Sequence, residues 1–196
     1  MSRSKSSIDD VIIEERDVGY LDPGIEAVLR TLNSLEGVST TSSCIGRVAL
    51  VEGKYYWGRD EDSRIIYKTH GRITGSKILE VLSRGFSDVW LRASGPILHL
   101  RVSSIDCALH ILGAARPYGF KHSGIIAVGE DVVVELMSAA QMSMPLRVEG
   151  RTVVRTDPDS LEALAGLANS VVEEGRSRLY RLASALSSSP GPCSQP

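Results

Sequence analysis

Apolar residues recur at helical spacing in LDPGIEAVLRTLNSLEG, where Ile25, Val28, Leu29, Leu32 and Leu35 share one face. The pattern predicts a helix that starts after Asp22, a natural N-cap, has Pro23 at its first position and ends at Gly37. Two short runs around Val38–Ser42 and Gly46–Val51 follow and read as strands with Cys44 at the bend. The same order then returns twice. TGSKILEVLSRG predicts a helix from near Thr74 to Gly85, and DVWLRASGPILHLRV reads as strand, Ser-Gly-Pro turn, strand. SIDCALHILGAARPYG predicts a third helix from near Ser104 that stops before Pro117, and SGIIAVGEDVVVEL predicts a hairpin turning at Gly129 and Asp131.

Helix followed by hairpin, three times over, predicts an α+β fold of repeated helix–hairpin units, with helices packed on a mixed, largely antiparallel sheet. EGKYYWGRDEDSRIIYKTHGR reads as a polar, aromatic-bearing turn leading into a strand at Ile65–Thr69, and MPLRVEGRTVVRT as one more strand or hairpin. After Asp157 and Pro158 the spacing predicts a last helix of about 28 residues. Its buried stripe runs through Leu161, Leu164, Ala168, Val171, Gly175, Leu179, Leu182 and Leu186. No linker composition interrupts the chain, so the expectation is one domain over residues 1–186, followed by a disordered tail at 187–196 (SSSPGPCSQP) that has little to bury.

Composition narrows the class. Hydrophobic residues are 42% and charged residues 23% of the 196, as in ordinary globular domains. No apolar run approaches the roughly 18–20 residues of a membrane span, and MSRSKSSIDDVIIEE has no apolar signal core, so a cytoplasmic protein is expected. Three cysteines without CxxC spacing argue against a zinc ribbon or a disulfide framework, and four histidines without HxxxH spacing lead to no metal assignment. Only four Asn and Gln are present and Arg outnumbers Lys 17 to 5, a thermophile-like bias that keeps a Cys44–Cys107 bridge open. The net charge is −2, yet residues 40–122 carry 12 Lys and Arg against 7 Asp and Glu, a local excess suited to a polyanion.

The run TTSSCIGR gathers four hydroxyls, a thiol, a glycine and an arginine. As a turn at a sheet end it offers hydroxyl and backbone donors from Ser42 and Ser43, close approach at Gly46, and a charged fork at Arg47 for phosphate or carboxylate. The same run also reads as a solvated hairpin turn. Cys44 is a nucleophile only beside a base, and otherwise a structural thiol. In GPILHLRV, His99 shares a face with Ile97 and Arg101, which makes it a candidate general base or a plain surface histidine. YGFKHSGI places Lys121, His122, Ser123 and Gly124 just before a strand, a second polar turn. His110 reads as solvated, and His70 as part of a polar connector. Neither a G-x-G-x-x-G between strand and helix nor a P-loop is present, so a Rossmann-type site is not expected.

TTSSCIGR resembles the Ser-Ser-Cys-x-Gly-Arg signature of the wybutosine-synthesizing protein 3 family. WLRASGPILHLRV, YGFKHSGI and MPLRVEGRTVV resemble that family's Trp-bearing strand and Pro-x-x-His segment, its Gly-Phe-(Lys/Arg)-x-Ser-Gly turn and its closing strands, in the same order. The resemblance spans roughly Asp22 to Glu174 and fits the archaeal branch. Ile45 departs from the small residue usual there, and MSAAQMSMPL lacks the expected polar run.

The resemblance implies a non-Rossmann methyltransferase that moves a methyl group from S-adenosylmethionine to N4 of a 4-demethylwyosine derivative at guanosine 37, in the anticodon loop of phenylalanine tRNA. On that reading His99, Ser43 and Cys44 are the catalytic candidates, and Ser42, Gly46, Ser123 and Gly124 face the cofactor. Arg47 and Lys121 supply charge for RNA. Trp57 and Tyr55, with Tyr56 beside them, supply flat surfaces for bases, while Trp90 reads as core. Two other readings use the same residues: a noncatalytic RNA-binding module, and a small-molecule or regulatory domain.

Overall fold

In the computed structural model, which describes residues 8–57, 63–189 and 191–193, the chain is α+β, in keeping with the pattern. In order the elements are α1 (Ile8–Asp17), α2 (Glu26–Asn33), β1 (Val38–Cys44), β2 (Arg47–Gly53), β3 (Ser63–Thr69), α3 (Gly75–Leu82) and β4 (Val89–Ser94). Then follow β5 (Ile97–Val102), α4 (Ile105–Ala115), β6 (Gly124–Val128), β7 (Val132–Met137), β8 (Gln141–Val148), β9 (Arg151–Thr152) and α5 (Pro158–Ser188). Thr74 and Ser104 cap α3 and α4 by accepting from the backbone N–H of Lys77 and Cys107. Asp157 caps α5, accepting from Ser160 N–H at 3.0 Å. That bond holds the Asp157 carboxyl below its ordinary pKa. The cap is therefore complete above the usual aspartate range and is lost as pH falls through the lowered value.

Two compact units divide these elements: Met1–Ile45, Pro96–Ala139 and Ser177–Pro196 make the first, and Gly46–Gly95 and Ala140–Arg176 the second. The first holds a four-stranded sheet of order β1-β5-β7-β6, and the second a five-stranded sheet of order β3-β2-β4-β8-β9. Every pairing is antiparallel among the described residues.

Two sheets instead of one mixed sheet correct the repeat expectation. Of the three repeat hairpins only β6 and β7 pair as predicted, and β8 and β9 form the further hairpin that MPLRVEGRTVVRT allowed. β1 pairs with β5 rather than β2, and β4 pairs with β2 and β8 rather than β5. The intervening bends explain it. Two-residue hairpin turns need central residues that tolerate positive φ and keep the turn hydrogen bonds, and neither the β-branched Ile45 nor Pro96 suits those positions.

The first helix is also shorter than its apolar stripe suggests. Gly24 sits at φ +84, so Pro23 and Gly24 form a turn and α2 begins only at Glu26. α1 was not foreseen at all, although its Ile12 is buried in the first unit's core.

Each unit has its own core. In the first, Leu98, Leu100 and Val102 of β5 and Val134 and Leu136 of β7 pack with Leu29 and Leu32 of α2 and Leu179 and Leu182 of α5. In the second, Val48 and Leu50 of β2 and Leu91 of β4 pack with Ile78 of α3 and Leu161 and Ala165 of α5. Each of these Val, Leu and Ile side chains stabilises its unit by about 1.5–3 kcal/mol. Asn169 is a buried polar exception: its side chain accepts from Ile73 N–H and donates to Ile73 C=O, both at 2.9 Å, which satisfies a connector that has no strand partner.

The end of the chain departs from the expected disordered tail where it is described. Gly191–Cys193 form a 3-10 turn, and Cys193 is bonded to Cys107 across a separation of 86 residues. The bridge left open in the sequence therefore joins Cys107 to a different partner, and Cys44 remains a half-buried thiol. Ser103 Oγ donates to Cys193 C=O at 3.0 Å, and His110, read as solvated, has Nε2 3.1 Å from Ser189 C=O.

Cys193→Ser should lower first-unit stability by about 2–5 kcal/mol, since the bridge limits the unfolded chain. Thermal unfolding with and without dithiothreitol checks this, and wild type indifferent to reductant would contradict it. Asn169→Ala leaves Ile73 N–H and C=O without partners, so urea unfolding should show a loss of about 1–3 kcal/mol.

Candidate functional site

TTSSCIGR is strand before it is turn. Thr40 to Cys44 belong to β1, and the bend is confined to Ile45 and Gly46. β1 lies at the edge of its sheet, so its outer backbone groups have no strand partner. Two side chains brace that edge. Asn33 accepts from Thr40 N–H at 2.7 Å and donates to Thr40 Oγ1 at 2.9 Å. The Asp22 carboxylate, expected to cap a helix, instead accepts from Ile45 N–H at 2.8 Å. Ile45 itself is fully buried, so the residue that departs from the family's small one anchors the bend by its side chain.

Along the stretch between the braces lies a pocket of about 460 Å³, lined by Thr40 to Ser43, by Asp22 and Tyr20, and by Glu15 of α1. Its size falls in the range of small-molecule clefts, roughly 300–1,000 Å³.

Register carries the polar groups across the sheet. Ser42 pairs with His99, His99 with Glu135, and Glu135 with Gly124, which forms one row over four strands. His99 Nε2 lies 3.0 Å from Glu135 Oε2, with the two side chains 33% and 27% exposed. In the next row Cys44 pairs with Ile97 and Ile97 with Met137. Ser123 stands at the end of that row, where its Oγ accepts from Met137 N–H at 2.9 Å.

Ser42, Cys44, His99, Ser123 and Gly124 are thus brought into two adjacent rows. Ser43 is not on the His99 face, because it pairs with the buried Leu98; it lines the pocket at the strand edge. Lys121 is exposed just before β6.

Glu135 escaped the sequence reading. Its signal was present: in VVVELM the residues Val132, Val134 and Leu136 alternate into the core, which leaves a lone carboxylate on the opposite face. An orienting carboxylate gives the histidine a defined ring position and tautomer, with Nε2–H donated to Glu135 and Nδ1 left as an acceptor.

In the second unit Gly46 is buried at φ +93, and a Cβ there would stand 2.7 Å from Ser94 C=O. Arg176 donates to Gly46 C=O at 3.0 Å and also to His70 C=O. Close backbone packing by itself accounts for a glycine at this position. Arg47 is half-buried, and its guanidinium has no hydrogen bond or ion pair among the described residues, which leaves its fork available to an anion. Tyr55 and Trp57 are exposed and stacked, with centroids 5.0 Å apart. Trp90, read as core, is half-buried outside it and donates Nε1–H to Gly53 C=O at 3.0 Å.

A family model described as "Methyltransferase TYW3" matches residues 3–188. A relative from Aeropyrum pernix, named tRNA(Phe) 7-((3-amino-3-carboxypropyl)-4-demethylwyosine(37)-N(4))-methyltransferase, is 48% identical over 172 residues, 87% of this chain and 90% of its own length. A relative of the same name from Saccharolobus solfataricus is 38% identical over 91% of this chain and 85% of its own. Among solved structures, a hypothetical protein from Aeropyrum pernix superposes with a TM-score of 0.78 at 43% identity, covering 85% of this chain and 98% of that one. PH1069 from Pyrococcus horikoshii superposes with a TM-score of 0.78 at 26% identity, covering 90% and 91%.

Asp22→Ala should free the bend. Amide hydrogen exchange is expected to quicken at Ile45 by at least 10-fold while core amides of β5 and β7 keep their protection, a loss of about 1–2 kcal/mol confined to one bond. Uniformly faster exchange throughout the first unit would contradict a local brace.

Proposed function

This chain belongs to the TYW3 methyltransferase family, and we propose that it methylates N4 of 7-(3-amino-3-carboxypropyl)-4-demethylwyosine at position 37 of tRNA(Phe), with S-adenosylmethionine as donor. The carrying observation is the 48% identity to the Aeropyrum pernix enzyme over nearly the whole of both chains. The target nucleotide lies in the anticodon loop, and a tRNA substrate implies action in the cytoplasm. No observation favours a noncatalytic module. Among the described residues, no helix is long and apolar enough to cross a membrane.

The pocket beside β1 fits the proposed donor. Hydroxyls of Thr40 to Ser43 and edge-strand amides suit a carboxylate, while Glu15 and Asp22 suit an ammonium group or ribose hydroxyls. Ser123 and Gly124, at the far end of the sheet rows, are the other proposed contacts. S-adenosylmethionine, when bound, supplies a methyl group already activated on a cationic sulfur.

The chain's own task is then alignment and proton removal. Taking up that methyl requires N4 to give up its proton. His99 Nδ1 accepts the N4 proton, with Glu135 holding the ring and balancing the charge that develops on it. Ser42 and Cys44 flank His99, and Ser43 faces the pocket as a positioning hydroxyl. Neither a metal nor a covalent cysteine adduct is required by this chemistry. Arg47 and Lys121 meet phosphates, and Trp57 and Tyr55 meet bases.

The direct test is incubation with tRNA(Phe) bearing the 4-demethyl nucleoside and labelled S-adenosylmethionine, followed by nucleoside mass analysis. One added methyl at N4 is the expected product, and an unmodified nucleoside would overturn the reading. Arg47→Ala and Ser43→Ala should reduce kcat/KM by roughly 10–1,000-fold, the scale of one lost charged or positioning contact. Their melting temperatures should stay near that of wild type. Parallel losses of activity and stability would count against a site at these residues.

A further inference from the structure

Exposed aromatic rings are costly to hold in water, and the second unit holds two in a fixed arrangement. Trp57 is 61% exposed and Tyr55 43%. Their rings stack with an interplanar angle of 25°, and the Lys54 ammonium lies 5.6 Å from the Tyr55 centroid.

Tyr56, between them in sequence, turns inward. It meets Trp57 edge-on at 4.7 Å and Trp90 at 5.3 Å. The outer face of β4 fastens this turn at two points. Trp90 donates to Gly53 C=O, and Arg92 lies over the Tyr56 ring at 5.0 Å while its guanidinium donates to Tyr56 C=O at 3.5 Å. Arg92 Nε is buried and has no hydrogen-bond partner among the described residues, so the guanidinium is held over Tyr56 at some cost.

We propose that the Gly53–Trp57 turn, pinned to β4 by Trp90 and Arg92, is a preformed stacking platform on which an unpaired base of the substrate RNA lies against Trp57. This rests on the tRNA reading and names the subsite that serves it. A ring already immobilised loses little entropy on binding, and every base has a flat face, so such a platform grips single-stranded loop nucleotides without reading their sequence. The cations against the rings favour RNA over an apolar protein surface. Lys54 and Arg92 are cationic, and in the cross-strand rows Lys68–Ala49–Arg92–Ser143 and Arg47–Ser94–Gln141 every charged residue is basic. Trp57 is the contact residue; Arg92 is a positioning residue that acts through Tyr56.

Full-length protein is titrated with a tRNA(Phe) anticodon stem-loop and with a fully paired duplex of equal length, while tryptophan emission and affinity are read. Trp57 and Trp90 are the two tryptophans of the chain, so emission lost on Trp57→Phe is assigned to Trp57. Saturable quenching by the stem-loop but not the duplex is expected, and it should disappear in Trp57→Phe. Trp57→Ala should weaken stem-loop binding by about 10-fold or more, with Trp57→Phe restoring most of it. Arg92→Gln should diminish the quench at unchanged melting temperature.

Methyl transfer to tRNA should show the Trp57→Ala loss in KM, with kcat within about 3-fold of wild type. Equal stem-loop affinity of wild type and Trp57→Ala, with wild type still methylating tRNA, would overturn the platform alone. Quenching by duplex and stem-loop alike would also overturn it, as would saturable binding of an acidic peptide in place of RNA. A wild type that quenches on the stem-loop but transfers no methyl would instead overturn the reaction and leave the platform standing.

Discussion

The pairing register of β1, β5, β7 and β6 is the constraint on which the first unit's chemistry depends. With Ser42 opposite His99, His99 opposite Glu135 and Glu135 opposite Gly124, four strands contribute to a single row of polar residues. A slip of one residue would turn His99 into the core and bring Leu98 or Leu100 to the surface. The fully buried Leu98, Leu100, Val134 and Leu136 on the other face oppose that slip, each by the cost of exposing a large side chain. Apolar burial on one side of the sheet thereby sets polar geometry on the other. The Asp22 and Asn33 braces extend the same control to the outer side of the edge strand, where no strand pairs among the described residues.

Local periodicity made much of this legible. The alternation of ILHLRV placed His99, Ile97 and Arg101 on one face and Leu98, Leu100 and Val102 on the other, as β5 does. Helix starts near Thr74 and Ser104 and the long final helix followed from local rules as well. Strand partnership did not, because β1 and β5 meet across more than 50 residues and nothing in either strand names its neighbour. For the same reason Asp22 looked like a helix cap; its acceptor geometry is satisfied by the amide of Ile45, 23 residues on. Glu135 and Cys193 were missed because a carboxylate in a hairpin and a cysteine in a Ser/Pro-rich tail have unremarkable local contexts. Their partners, His99 and Cys107, lie 36 and 86 residues away.

A methyl transfer from a sulfonium asks little covalent chemistry of a protein, which suits the residues found. The reacting carbon arrives activated, so rate depends on holding donor and nitrogen in line and on an acceptor for one proton. In the proposed reaction, edge-strand hydroxyls and amides, a histidine with an orienting carboxylate, and an arginine free of internal partners among the described residues would meet those needs without a glycine-rich nucleotide loop. The pinned aromatic turn of the second unit is proposed to serve a separate need, the capture of an unpaired base.

The proposal that His99 and Glu135 act as one device is tested most directly by a double-mutant cycle in single-turnover methyl transfer to tRNA(Phe), using His99→Ala, Glu135→Gln and the pair together. If Glu135 works through the imidazole, its substitution should slow transfer in the His99 background of wild type and have almost no further effect once His99 is gone. Independent, multiplicative losses from the two changes, or a His99→Ala protein that transfers methyl at the wild-type rate, would contradict the account.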